Sequence, residues 1–116
     1  MEWEIDVEFI DDWLDGLDED TYDQVIAALR ILQREGPDLG RPLVDSVKGS
    51  RHHRMKELRP GSSGSSEIRM LFVFDPQRRG IILVAGDKRG EWNKWYRRNI
   101  PIADARYDAH LRSLEK

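Results

Sequence analysis

The 116-residue chain contains no cysteine. No disulfide can staple it, and nothing in its composition points to an oxidising compartment. It has no apolar run long enough to span a bilayer. Its start, Met1-Glu2-Trp3-Glu4, lacks the positive segment and the apolar stretch of a secretory signal. The expected compartment is therefore the cytoplasm, without membrane association. No glycine-rich phosphate motif precedes a helical pattern, so nucleotide hydrolysis has no support. Histidine is scarce, at three residues. His52 and His53 are adjacent, and neighbours on a strand point to opposite faces. With only His110 besides, and no thiolate, a structural zinc site is rejected. No metal and no cofactor is expected. Acid–base help from His52 or His53 stays open.

Charge is what the chain has in quantity, and it is unevenly placed. Residues 1–40 hold 13 acidic and 2 basic side chains, a balance of −11, whereas residues 41–116 hold 17 basic and 9 acidic, a balance of +8. Such a division points to a polyanionic partner for the basic part, with an unevenly solvated surface as the plainer alternative. The length suggests one domain, spanning 1–116, able to bury a modest core.

The hydrophobic pattern changes period along the chain. Trp3, Ile5 and Val7 alternate with acidic residues, as in a half-buried strand. Phe9, Ile10, Trp13, Leu14 and Leu17 then fall at helical spacing. Asp18 or Asp20 can cap a second helix carrying Tyr22, Val25, Ile26, Leu29 and Leu32, which Gly36-Pro37 ends. The two helices should form an antiparallel hairpin, and a loop is expected over 38–49. Residues 52–59 are a strand candidate, and the Gly/Ser stretch 60–66 is a turn. Ile68 to Phe74 is apolar at nearly every position, as in a central strand covered on both faces. Ile81 to Ala85 follows the turn at 75–80. These three strands should form an antiparallel meander. Residues 91–115 read as helix, broken or restarted near Pro101. The fold class is α+β: an N-terminal strand and helical hairpin packed on a small antiparallel sheet, with a C-terminal helix.

The stretch GDKRGEWNKWYRRNIP, 86–101, leaves the last strand with five basic side chains, two Trp and one Tyr. Counting back from a tight turn at 75–79 places Arg69 beside Ala85. A neighbouring strand across 60–66 would bring Glu57 to Arg69, flanked by Lys56 and Arg59. Lys56, Arg59, Arg69, Lys88 and Arg89 then converge, with Lys94, Trp95 and Tyr96 on the helix that begins there. The parity of a regular strand opposes one part of this, because Lys56 and Arg59 point to opposite faces. Gathered cations are tolerated where an anion is the intended neighbour. The alternative is local pairing, Arg69 with Glu57 and Arg59 with Glu67. Arg78, Arg79, Arg97, Arg98 and Arg112 read as ordinary solvated charges.

The string MKELRPGSSGSSEIRMLFVFDPQRRGIILVAGDKRGEWNKWYRRNIPIADARYDAHL resembles the RelE/HigB superfamily of type II toxin–antitoxin toxins, and in particular its phage-derived HigB-like branch. The likeness runs from Leu39 to Leu111 and is carried by K-E-L-R, a Gly/Ser turn, I-R-M-L-F-V-F, G-D-K-R-G and I-P-I-A; the acidic hairpin fits more loosely. The resemblance implies a RelE-like fold and a ribosome-dependent, metal-free endoribonuclease that cuts translated mRNA and arrests growth. In that chemistry the ribose 2′-OH attacks the adjacent phosphate and leaves a cyclic phosphate. It needs a proton acceptor, a cation for the phosphorane and a proton donor for the 5′-oxygen. The resemblance makes Arg69 the residue at the scissile phosphate, with Lys56 and Arg59 from the preceding strand and Lys88 from the end of the last. It makes Tyr96 the C-terminal tyrosine, a place Trp95 can also hold. Glu57 is either a proton acceptor or the partner of Arg69. Arg89 and Lys94 would bind RNA, and Trp92 and Trp95 would stack on bases unless one of them fills the core. The implied partners are the ribosome, its mRNA and a cognate antitoxin that covers the basic cleft or clamps the hairpin. Two other readings use the same scaffold: a ParE-like inhibitor of DNA gyrase that cleaves nothing, and an inactive scaffold that binds its antitoxin to repress their operon.

Overall fold

The computed structural model describes residues 2–62 and 64–115. The chain runs β1 (Ile5–Asp6), a 3-10 turn (Glu8–Ile10), α1 (Asp11–Asp15), α2 (Glu19–Glu35), a 3-10 turn (Gly36–Asp38), β2 (Val44–Ser46), β3 (Lys56–Leu58), β4 (Ile68–Phe74), β5 (Gly80–Asp87) and α3 (Asn93–Ser113). The class is α+β. Among the described residues no helix is long and apolar enough to cross a membrane.

The five strands lie in the order β1-β5-β4-β3-β2. The meander β3-β4-β5 is antiparallel as expected, but β1 pairs parallel to β5, so the sheet is mixed at one edge. β2 pairs with β3 where a loop was expected. Three residues after a proline give too short a run for periodicity to reveal. The candidate strand at 52–59 shrinks to Lys56–Leu58.

Asp18 caps α2 by accepting from the Thr21 amide at 3.2 Å. Gly36 closes the helix with φ +67, and a Cβ there would stand 2.2 Å from the Trp3 indole. One face of the sheet packs on this hairpin: Leu58, Met70, Phe72 and Ile82 meet Ile10, Val25, Leu29 and Leu32. The other face packs on α3, where Leu71, Val73, Ile81 and Leu83 meet Trp95, Ala103 and Tyr107. β4 is therefore covered on both sides, which is why its sequence does not alternate. α3 passes through Pro101 without the expected break. Pro101 and Arg97 are both exposed. The proline thus sits on the solvent side of the helix, while the buried stripe holds the helix to the sheet.

A register shift between Leu71 and Phe72 positions the site. Phe72 pairs with Ile82 but Leu71 with Val84, so Leu83 is an extra residue on β5. Leu83 and Val84 both reach the α3 face. From there on the parity of β5 is inverted, and a bulge of this kind re-aims the side chains that follow it. Arg69 consequently lies opposite Gly86, one residue beyond the simple count.

Candidate active site

The inverted parity delivers Gly86 and Lys88 to the α3 face, where Arg69 and Glu57 also point. Gly86 has no Cβ because the Trp95 indole occupies that space; a Cβ would meet Nε1 at 2.8 Å. The Lys88 amide donates to the Glu67 carbonyl at 3.0 Å, extending the pairing one residue past the strand. α3 then sets Tyr96 over the end of the sheet.

Glu57 is the centre of the arrangement. Its side chain is 6% exposed. The Tyr96 hydroxyl donates to Oε1 at 2.6 Å. Arg59 donates to Oε2 through Nη2 at 2.9 Å and Nε at 3.3 Å. Arg69 Nε stands 3.8 Å from Oε1, too far for a hydrogen bond. Burial, and then the bond to Glu57, pushes the Tyr96 hydroxyl up to about 12. Tyr96 thus stays protonated at neutral pH and serves as a donor. Burial also draws the Lys88 ammonium below its ordinary value, and the charge of Arg69 adds to this. Lys88 Nζ lies 5.2 Å from the centres of both the Trp92 and Tyr96 rings, within reach of their π faces.

The expected gathering of five cations is not found. Arg59, Arg69 and Lys88 come together, and the two arginines are matched by carboxylates. Arg59 reaches Asp45 at 3.2 Å as well as Glu57. Arg69 donates to the Ile68 carbonyl at 2.8 Å and to Glu67 at 3.2 Å, and its side chain is 13% exposed. Its Nε is buried without a hydrogen-bond partner among the described residues. Lys56 is on the wrong face: it shares parity with Leu58, and its Nζ donates to the Pro37 carbonyl at 3.3 Å on the hairpin side. Strand alternation forbids Lys56 and Glu57 from facing the same cleft. Trp95 is 2% exposed and belongs to the core, so it cannot stack on a base. Trp92, at 56% exposure, can. Arg89 and Lys94 are exposed, and neither lines the groove described below. His52 bonds Asp108 through Nε2 at 2.9 Å and packs edge-on against Tyr107, away from Glu57.

Glu57 and Tyr96 line a groove of about 810 Å³ between α3 and the segment that follows β2. Its floor includes Val47, Ile100 and Pro101, and Lys48 and Arg97 supply cations. The sequence reading missed this groove because it missed β2. The run Leu43-Val44-Asp45-Ser46-Val47 does not alternate, so periodicity offered no signal, and Asp45, the second partner of Arg59, lies within it. Chemically, the arrangement offers a fixed carboxylate and a permanent hydroxyl donor on the groove wall, with an ammonium of reduced basicity beside the Tyr96 ring.

The family described as phage derived protein Gp49-like matches residues 12–108. Two proteins of Mycobacterium tuberculosis are similar over most of the chain. "Putative toxin HigB2" is 56% identical over 113 residues, covering 97% of this chain and 56% of its own length. "Putative toxin HigB3" is 50% identical over 104 residues, covering 90% of this chain and 89% of its own. The chain thus spans little more than half the length of the first relative and most of the second.

Proposed function

The chain belongs to the phage-derived Gp49-like family, and from that premise we propose that it is the toxin of a toxin–antitoxin pair, acting as an endoribonuclease on mRNA held by the ribosome. The observation that carries the reading is the 2.6 Å bond from Tyr96 to the buried Glu57, on the wall of an open groove and beside Lys88. The Glu57 carboxylate takes the 2′-OH proton as the 2′-oxygen bonds to phosphorus. Tyr96, held protonated, fixes the carboxylate's orientation. Arg69 balances charge on the non-bridging oxygens, for which it must exchange Glu67 for the phosphate. Lys88 gives its proton to the departing 5′-oxygen, a task helped by its lowered basicity. The products are a 2′,3′-cyclic phosphate and a 5′-hydroxyl. The acidic hairpin lies on the opposite face of the sheet, where it avoids ribosomal RNA. A cognate antitoxin silences the site.

One observation favours a second reading, a gyrase inhibitor that cleaves nothing: Arg59 and Arg69 are already matched by carboxylates. Mapping transcript 5′ ends after expression separates the two. New ends inside coding regions, lost with Glu57→Gln, are expected. Intact transcripts together with an SOS response would overturn the cleavage reading.

A further inference from the structure

Lys56 left the Glu57 site, and its new neighbours carry an inference of their own. At the far end of the sheet, beyond Phe74 and before Gly80, two hollows of about 460 Å³ each adjoin. His53, Arg54, Phe74 and Asp75 line both. Lys56 and Arg78 complete the second, together with Trp3. Asp75 is the one carboxylate lining either hollow among the described residues. It is occupied: its side chain is 0% exposed, and Oδ2 is bonded to His110 Nε2 at 2.7 Å. By contrast His53, Arg54, Lys56 and Arg78 have no carboxylate within 4.0 Å among the described residues. Arg78 is held in place by backbone and ring. Its φ is +65, its amide donates to the Asp75 carbonyl at 2.8 Å, and its guanidinium lies 4.7 Å above the Trp3 ring. Stacking of this kind leaves the planar edge of the guanidinium open for a bidentate anion.

The hollows are also connected to the groove. Arg51 lines both the groove and the first hollow. A track therefore runs from Glu57 and Tyr96, past Arg51, over His53 and Arg54, to Lys56 and Arg78. We infer that this track holds the phosphodiester backbone of a single RNA strand, several nucleotides long, continuous with the segment in the groove. The inference rests on the ribonuclease reading for its choice of RNA. An RNA strand fits better than an acidic peptide because the hollows offer cations at intervals and no strand edge: the two sheet edges are β1 and β2, and neither lines the hollows, while only Ser46 of β2 lines the groove. It also fits an acidic protein gripping a polyanion: the negative charge is concentrated on the hairpin, the cations of the two hollows have no carboxylate partner among the described residues, and Arg51, which Asp108 holds at 2.7 Å, exchanges that carboxylate for phosphate.

The test is binding of a fluorescently labelled oligouridylate, long enough to cross groove and hollows, across a range of salt concentrations. Arg54→Gln and Arg78→Gln should each weaken binding several-fold and reduce the salt slope by about 0.7, the share of one phosphate contact on a single strand. Arg112→Gln, an exposed charge elsewhere on α3, should change neither. A labelled dinucleotide should not distinguish these variants from the parent. Arg54 is exposed, so its variants fold; Arg54→Glu serves as the stronger form if Arg78→Gln unfolds. Unchanged affinity and slope in the Arg54 variants would overturn the track. So would normal RNA binding with lost binding of an acidic peptide or of the antitoxin, which would reassign the surface to a protein. The two readings fail separately. If the parent cuts transcripts and the Arg54 variants bind and cut as well as it does, only the track falls. If the parent yields no new transcript ends but binds RNA through Arg54 and Arg78, the cleavage reading falls and the track stands.

Discussion

Lys56 and Glu57 are joined by one peptide bond and serve two regions built on opposite electrostatic plans. Around Glu57 the two arginines are paired with carboxylates and the carboxylate itself is buried, fixed by hydrogen bonds from Arg59 and Tyr96. Around Lys56 the cations are mostly exposed, none has a carboxylate partner among the described residues, and they are spaced along the surface. A paired cluster has little field left for drawing in a polyanion, but its groups are already oriented, which is what chemistry requires. An unpaired cluster is poorly oriented for chemistry, yet attracts phosphate and gives binding that salt weakens. On the ribonuclease reading proposed above, the difference teaches that unpaired basic residues mark where a polyanion is held, and that buried pairing marks where chemistry is prepared.

The largest effect should come from removing the charge at the centre of the paired region. Glu57→Gln keeps the shape and an acceptor for Tyr96 but abolishes the carboxylate, and should slow cleavage by about 10²–10⁴-fold, the usual worth of a general base. Single-turnover cleavage on stalled ribosomes measures it. If the loss shrank at low salt, Glu57 would be acting on binding, and the division between the two regions would fail. Arg69→Ala should come next, at about 10²–10³-fold for one lost charge-stabilising donor. Growth arrest should disappear while the circular dichroism spectrum is kept. Full toxicity would remove Arg69 from the site and leave it as a strut for Glu67.

Much of this was legible beforehand. β4 and β5 could be placed because fully buried strands show as continuous apolar runs. The joining of Glu57, Arg69 and Tyr96 followed from the meander and from the resemblance of the string. Other parts were hidden for physical reasons. A bulge at Leu83 has no glycine or proline to announce it, yet it decides on which face Lys88 emerges. Trp92 and Trp95 are both tryptophans beside charged residues, and only the space above Gly86 shows which one is core. Strand parity allows only one of Lys56 and Arg59 to face the cleft, although hairpin geometry and the resemblance bring both there; Arg59 does face it, and Lys56 turns to the hairpin side. In that instance the elementary rule was the better guide.

Tyr96→Phe should have a smaller effect on rate, about 10²-fold or less, because it frees a carboxylate to drift and removes no reacting group. Cleavage equal to the parent's would assign the hydroxyl to packing. If the fall equalled that of Glu57→Gln, the hydroxyl would itself be transferring a proton.

The smallest expected effect concerns stability at alkaline pH. Tyr96 is raised from 10.0 to about 12, by burial first and then by Glu57. Below pH 10 the phenol is protonated whether the chain is folded or not, and its contribution is fully present. Between about 10 and 12 the unfolded chain loses the proton while the folded chain keeps it, so stability falls as pH rises through this window. Lys88, being lowered, works in the opposite sense, adding stability as pH climbs toward 10.5. Tyr107, beside the first hollow, is also raised, by burial and then by Asp75. The two regions can therefore be compared with one reagent. Urea unfolding at stepped pH should show that Tyr96→Phe removes on the order of 1–2 kcal/mol of the alkaline loss, after allowance for partial exposure. Tyr107→Phe should remove less, because no carboxylate accepts a hydrogen bond from its hydroxyl among the described residues. Equal flattening by both would mean that the short bond to Glu57 adds nothing beyond what burial and a nearby carboxylate charge already supply.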